Sequence, residues 1–299
     1  MVVLSNQEFN VVGTRPIRPD GNDKVTGRAR YSADISLPRM LHGKVLRSPH
    51  AHARIKSIDP SRALALPGVE AVVTAADFAQ PRGRISDLGE GAMANPKWIS
   101  NNCMAAEKAL YKGHAVAAVA ATSLHLAEEA LALIDVDYEI LLGVTDVVEA
   151  MKDDAPILHE RLANSTDANI RPGGLRDDDD TEKATNISNH FVFELGDPGQ
   201  GFKDADVIVE REFRTATVHQ GYIEPHSATA MWGEDGKLTV WCSSQGHFQI
   251  RDLTGLVLGV PVSQIKVVPM EIGGGFGGKT TIYLEPLAIT LSKMTGQAV

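Results

Sequence analysis

Apolar and polar positions alternate most clearly in three stretches. IDVDYEI, residues 134–140, alternates strictly and predicts a strand with one buried face. ADVIVEREFRTATV, 205–218, alternates over a longer run and predicts another strand. MLHGKVLRSPHAHARIKSID, 40–59, sets Val45, Ile55 and Ile58 among polar neighbours and predicts half-buried strands. Between them, HAVAAVAATS (114–123) is a nearly continuous run of small apolar residues, consistent with a buried strand. The period then changes. SLHLAEEALALI (123–134) places Leu126, Ala130 and Leu133 at helical spacing with Glu128 and Glu129 on the wet face. Strand, helix and strand within about thirty residues form a compact α/β unit.

Breakers divide the rest of the chain. Turns are predicted at Asp20–Gly21 and Thr26–Gly27, and a short helical turn at Ala63–Ala65 stops at Pro67–Gly68. Residues 69–78 predict a strand running into a capped turn. Residues 79–103, rich in Gly, Asn, Pro and Ser, predict a long loop. The second half is rich in strands. SATAMWGEDGKLTVWCSS (227–244) predicts a hairpin around Glu234–Asp235–Gly236. Residues 248–259 predict a helix with Ile250, Leu253, Leu256 and Val257 on one stripe, stopped by Gly259. A strand over 264–272 and a helix over 281–296 follow. Pro286 must lie in the first turn of that helix to be tolerated.

Composition narrows the class. The chain has 299 residues, 43% of them apolar, enough for roughly two domains with sizeable cores. A net charge of −9 argues against a nucleic-acid partner, which calls for a basic stripe. Two cysteines, Cys103 and Cys242, cannot alone make an iron–sulfur or structural zinc site. The start lacks a signal peptide pattern, and no apolar run approaches a membrane span, so the expectation is a cytoplasmic globular protein. Residues 164–189, with a Pro-Gly-Gly turn and four consecutive aspartates, read as an acidic linker or surface loop. The expected organisation is an arm over 1–20, a first domain over 21–150, a linker over 151–190 and an incomplete second domain over 191–299.

The most distinctive stretch is EIGGGFGGKTTIY, 271–283, with five glycines in six positions. Its GGGFGGKT matches the phosphate-cradling pattern G-x-x-x-x-G-K-[ST] from Gly273 to Thr280. A nucleotide machine also needs a Mg²⁺-binding aspartate on another strand, and only nineteen residues follow Thr280. The ATPase or GTPase reading is therefore a remote alternative. A ligand-free turn is a weak explanation, because such a run is entropically unfavourable unless something bulky must approach the backbone.

GGGFGGK at 273–279 resembles the glycine loop of the molybdenum-binding subunit of the xanthine dehydrogenase/aldehyde oxidase family. RPDGNDKVTGRARYSADI (18–35), residues 40–59 and PGVEAVVTAADF (67–78) resemble the opening of its α/β-hammerhead domain, and residues 105–139 its second half. HQGYIEPHSATA (219–230) and WCSSQGHFQIR (241–251) are similar to the stretches leading to the glycine loop. The resemblance implies an α+β fold: a hammerhead domain, then the first part of the molybdopterin-binding domain. It implies hydroxylation of an aldehyde or N-heteroaromatic carbon with water-derived oxygen. It implies a Mo-pyranopterin cofactor, often in the cytosine dinucleotide form, with 2Fe-2S clusters and FAD on partner subunits. A non-catalytic assembly or binding chain of the same fold is the alternative from another class.

By the same resemblance, Gln245, Gly246, Gly274, Gly275, Phe276 and Gly277 hold the cofactor. Gln245 hydrogen-bonds an oxygen ligand of molybdenum, and Phe276 forms a wall for a flat substrate. Thr280 stands where the xanthine-oxidising branch has a glutamate, which weakens purine as the substrate. The catalytic glutamate and most other cofactor contacts are expected beyond Val299, in a C-terminal half or a second chain. Glu90, in GEGA at 89–92, takes no role, and no residue of this chain is expected to be catalytic. GQAV at 296–299 falls where a strand should follow the helix, which favours a fragment. Among other ligand types, His50 and His52 are expected on one face of a strand. Glu224–Pro225–His226 is expected to form a structural or pocket-lining turn, and Cys242 to be packed.

Overall fold

A computed structural model describes residues 9–79, 86–87, 93–94, 96–159, 186–187 and 195–299. The elements in order are α1 (Gly21–Thr26), β1 (His42–Arg47), β2 (Ala53–Asp59), α2 (Ser61–Leu64), β3 (Val69–Val73), β4 (Ser86–Asp87), β5 (Met93–Ala94), α3 (Pro96–Cys103), β6 (Lys108–Ala109), β7 (Ala115–Ala121), α4 (Leu124–Ala132), β8 (Asp135–Ile140) and α5 (Val147–Ala150). They continue with α6 (Pro198–Asp204), β9 (Ala228–Trp232), β10 (Leu238–Cys242), α7 (His247–Leu258), β11 (Ile265–Pro269) and α8 (Glu285–Thr295). This is the expected mixed α+β fold.

The described strands form three three-stranded sheets, β1-β7-β3, β6-β2-β8 and β11-β10-β9, and one two-stranded pair, β4-β5. The all-apolar run of β7 has a direct cause, since all seven of its residues are buried. Ala117, Val119 and Ala121 pack with Ala127 and Ala130 of α4. Ala118 and Ala120 belong to the cluster that contains Leu287, Ala288, Ile289 and Leu291 of α8. A strand covered by helices on both faces has no wet side, so alternation disappears. β8 alternates as expected and pairs antiparallel with β2.

Helix α8 joins the two halves of the chain. Its residues Glu285–Ser292 are all buried. The same core cluster holds Leu238, Val240, Ile250, Leu253 and Ile265 of the second half with Val73 and Ala71 of β3. Pro286 sits in the first turn of α8, where its missing N–H is harmless. The hairpin β9–β10 forms as expected, with Gly236 at φ 77 and a Gly233 N–H to Lys237 O bond of 2.7 Å. β11 adds parallel to β10. Val299 exchanges both backbone hydrogen bonds with Ala230, at 2.8 and 3.0 Å, so a strand-like pairing does follow α8.

Four sequence expectations change. The turn expected at Asp20–Gly21 is the start of the short helix α1, with Gly27 as its left-handed stop at φ 73. The loop expected over 79–103 ends in a helix, α3, because Ile99 and Cys103 find an apolar core. Residues 205–218, expected as a strand, are exposed and pair with nothing among the described residues. His50 and His52 lie in the turn before β2 and share no strand face. His52 is buried with Nδ1 2.9 Å from Leu142 O, and His50 stands edge-on to Tyr138. Residues 1–8 of the arm, Glu90 with its GEGA context and most of the 164–189 linker lie outside the described residues.

Candidate functional site

The glycine run connects β11 to α8 at the end of the parallel pair β10–β11. Its shape is set by two clamps. Gln245, in the turn between β10 and α7, accepts hydrogen bonds at Oε1 from the N–H of Gly277 (3.0 Å) and of Lys279 (3.2 Å). The Gln245 N–H in turn donates to Lys279 O at 2.9 Å. Glu224 provides the second clamp. Its Oε2 accepts the Gly273 N–H at 2.8 Å and the Lys279 ammonium at 2.7 Å, so one carboxylate oxygen ties both ends of the loop. The Lys279 side chain is 0% exposed and its ammonium lies 5.0 Å from the Tyr222 ring centre, a cation–π contact.

These clamps explain the glycines. A Cβ on Gly275 would lie 2.5 Å from Gln245 Oε1, and one on Gly273 2.5 Å from Glu224 Cβ. On Gly278 it would meet the Tyr222 ring at 2.7 Å. Gly274 and Gly277 take φ of 96° and 87°, which residues with a Cβ rarely adopt. The bulky group expected near the backbone is thus, at three positions, the protein's own 222–224 segment and Gln245. Phe276 also has a positive φ, 48°, a strained conformation for an aromatic residue. Its ring folds back over Gly274 and is 72% exposed.

The same geometry removes the nucleoside-triphosphate alternative. A phosphate-cradling lysine must reach the ligand, and Lys279 points inward to Glu224. Helix α8 does not open at Thr280 but at Glu285. The Thr280 hydroxyl, in place of binding Mg²⁺, donates to Gly277 O at 3.0 Å and braces the turn.

What remains available on the loop is defined by what is already bonded. The N–H groups of Gly274, Gly275 and Phe276 have no hydrogen-bond partner among the described residues. Gln245 spends its carbonyl oxygen on two backbone donors, so its exposed amide can only donate outward. A Cβ on Gly277 would meet nothing within 4 Å, so that face is open. Helix α7 begins beside Gln245 without a side-chain cap, which adds the positive end of a helix. Gly246 is its N-cap residue, and the Gly246 N–H donates to Ser244 Oγ at 3.0 Å. This donor-rich, apolar-walled surface suits an oxygen-rich, planar cofactor.

Sequence reasoning missed the Glu224–Lys279 pair. Glu224–Pro225–His226 is indeed a structural turn, but its carboxylate has a specific task that a lone glutamate does not advertise. Around it, His219, Tyr222, His226 and Tyr283 meet in a chain of tilted and edge-on ring contacts. Burial, reinforced by the Lys279 charge, lowers the pKa of His226. Cys242 is packed as expected, and burial pushes its thiol well up. Behind the loop, Glu285 is buried at the start of α8, accepts the Tyr283 N–H at 2.9 Å, and has its pKa raised by burial. Among the described residues no group of three His, Cys, Asp or Glu could hold a metal ion. No described helix is long and apolar enough to cross a membrane.

Comparison with known proteins bears directly on this site. Residues 26–141 match the family model described as aldehyde oxidase and xanthine dehydrogenase, a/b hammerhead domain. Residues 180–299 match the molybdopterin cofactor-binding domain, which contains the glycine loop, Gln245 and Glu224. The carbon monoxide dehydrogenase large chain of Afipia carboxidovorans is 36% identical over 262 residues, 86% of this chain and 30% of that protein. The nicotinate dehydrogenase large molybdopterin subunit of Eubacterium barkeri is 31% identical over 280 residues, 93% of this chain and 58% of that protein. Among solved structures, quinoline 2-oxidoreductase from Pseudomonas putida 86 matches with a TM-score of 0.76 and 31% identity, over 96% of this chain and 34% of that one. The chain therefore spans between about a third and three fifths of the length of these relatives.

Proposed function

The chain belongs to the aldehyde oxidase and xanthine dehydrogenase family of molybdenum enzymes, and on that premise we propose that it is the molybdopterin-binding component of a molybdenum hydroxylase. The substrate class is an aldehyde or an N-heteroaromatic carbon, with the inserted oxygen derived from water. The bound Mo-pyranopterin, in the cytosine dinucleotide form, supplies the redox chemistry. This chain's residues bind and orient it. Gln245 donates its side-chain amide to an oxygen of the cofactor, and the N–H groups of Gly274, Gly275 and Phe276 face it. Gly246 lies alongside at the start of α7, and Gly277 leaves room for close approach. Phe276 is the wall against which a flat substrate packs, and Thr280 borders the same pocket.

The observation that carries this reading is the orientation of Gln245. Two backbone N–H groups fix its oxygen inward, so its amide is presented as a donor with no rotamer left to choose. The base that activates water, a glutamate, comes from the part of the molybdenum subunit that this chain does not span. Iron–sulfur and FAD subunits carry the electrons away, in a cytoplasmic complex. We also propose the division into an arm over 1–20, a hammerhead domain over 21–150, a linker over 151–190 and a cofactor domain over 191–299.

The test is metal and pterin analysis of the native complex isolated through a tag on this chain. Near-stoichiometric molybdenum and pterin are expected, and Gln245→Ala should lower their retention or the rate at saturating substrate. A native complex without either component overturns the proposal, and so does turnover by the isolated 299-residue chain.

A further inference from the structure

The stretch 18–34 packs against the entry to the glycine loop, and none of the roles assigned so far uses it. Arg18 holds Asp20 through two hydrogen bonds, of 2.5 and 2.9 Å. Helix α1 follows and stops at Gly27. The chain then doubles back, because the N–H groups of Arg28 and Ala29 both donate to Asp23 O, at 2.9 and 3.0 Å. This turn sets Arg30 and Tyr31 beside the start of the loop. The Glu271 N–H donates to Arg30 O at 3.0 Å, and Tyr31 and Glu271 form a parallel β-bridge. Ser32, fully buried, donates its hydroxyl to Ser227 O at 3.2 Å.

The Lys24 ammonium lies between two carboxylates, 3.0 Å from Asp20 Oδ2 and 3.0 Å from Glu271 Oε2. With Arg18 beside Asp20, two positive and two negative charges cancel. The Lys24 and Glu271 side chains are 20% and 29% exposed, so neither is freely solvated. Residue 271 is thus held twice by the first half of the chain, by its backbone at Arg30 and by its carboxylate at Lys24. Further on, Gly273 is held by Glu224, and Gly277 and Lys279 by Gln245. The unbonded N–H groups of Gly274, Gly275 and Phe276 lie between these fixed points. Glu271 also needs its counter-charge. A bare carboxylate three residues from donors that receive an anionic cofactor opposes binding.

We propose that Lys24 is a positioning residue for the cofactor surface: its ion pair with Glu271 fixes the start of the glycine loop and masks a negative charge there, so that the N–H groups of Gly274, Gly275 and Phe276 keep their direction toward an anionic cofactor. The inference rests on the molybdopterin reading of that surface. Ion pairs near the surface add little to global stability, so the effect of this one is read at the loop and not in the melting of the whole protein.

The experiment isolates the native complex, wild type or variant, through a tag on this chain. Molybdenum loss during dialysis is followed by elemental analysis, amide hydrogen exchange by mass spectrometry, and global stability by thermal unfolding. Lys24→Met should speed molybdenum loss roughly tenfold, the low end of what removing the partner of a binding group costs. Its Glu271 and Gly273 amides should exchange faster, while the amides of α8 and the thermal midpoint stay unchanged. Lys24→Arg keeps the charge and should restore the wild-type rate of loss. Lys24→Met combined with Glu271→Gln should lose molybdenum no faster than Lys24→Met alone, because both changes act through one contact. Wild-type retention in Lys24→Met overturns the proposal and leaves the molybdopterin reading standing. A lowered thermal midpoint with faster exchange throughout α8 shows a structural role only and also overturns it. A wild-type complex without molybdenum overturns the cofactor reading, and the proposal with it.

Discussion

The Glu224–Lys279 pair invites the sharpest perturbation. Glu224→Ala leaves an ammonium whose side chain is 0% exposed without its counter-charge, and the Gly273 N–H without its acceptor. Removing one partner of a buried pair is destabilising by about 3–5 kcal/mol, and an orphaned buried donor alone by about 1–3 kcal/mol. These terms overlap, so about 4 kcal/mol is expected. Lys279→Met leaves the carboxylate bonded to Gly273 but without its counter-charge, with Oε1 buried and unpartnered, so about 3–5 kcal/mol is expected. The double change Glu224→Gln with Lys279→Met removes both charges and keeps an acceptor for Gly273, and about 1 kcal/mol or less is expected. Urea unfolding of the isolated chain measures this. With an m-value of about 3 kcal/mol/M, Glu224→Ala lowers the midpoint by about 1.3 M. Single changes that each cost under about 1 kcal/mol and add in the double would show a solvated pair and refute the clamp.

Other outcomes follow from the same geometry. Gly275→Ala forces a methyl onto Gln245 and should cost about 1–3 kcal/mol as well as cofactor retention in the native complex, read by molybdenum content. Phe276→Gly relieves a positive φ at an exposed site, so stability should hold or rise by about 1 kcal/mol while KM for a flat substrate rises. His114 is buried as a neutral ring that accepts the Leu110 N–H at Nδ1 and bonds Asn101 O through Nε2, and burial lowers its pKa below the usual 6.5. The unfolded chain then binds the extra proton, so stability should fall as pH drops below about 6.5, and His114→Gln should flatten that slope in pH-dependent melting. Leu253→Ala, deep in the shared core, should cost about 2–5 kcal/mol in the same unfolding assay.

The elements legible in the sequence were those with a strong local period. β7, α4 and β8 declared themselves through a buried run, a helical stripe and strict alternation, and α7 and α8 through stripes closed by Gly259 and Gly296. Residues 205–218 carried a looser alternation and formed no strand. Alternation specifies which faces a strand would have, but pairing needs a neighbour, and the described residues offer none. α3 was hidden for the opposite reason. Its composition resembles a loop, and only Ile99 and Cys103 meeting the core make it a helix.

The site divides along the same line. The glycine run, Gln245 and Phe276 were visible as residues, because five glycines in six positions demand a cause. The sequence alone determined that this loop is special and that it sits between a strand and a helix. Only the tertiary structure decided what each glycine is for. Glu224 lies 49 residues before Gly273 and Gln245 lies 34 before Lys279, separations at which no local pattern reports a contact. Folding presses those side chains onto the loop, turns Lys279 inward and leaves the Gln245 amide facing out, because a buried charge must meet its counter-charge and a backbone donor its acceptor.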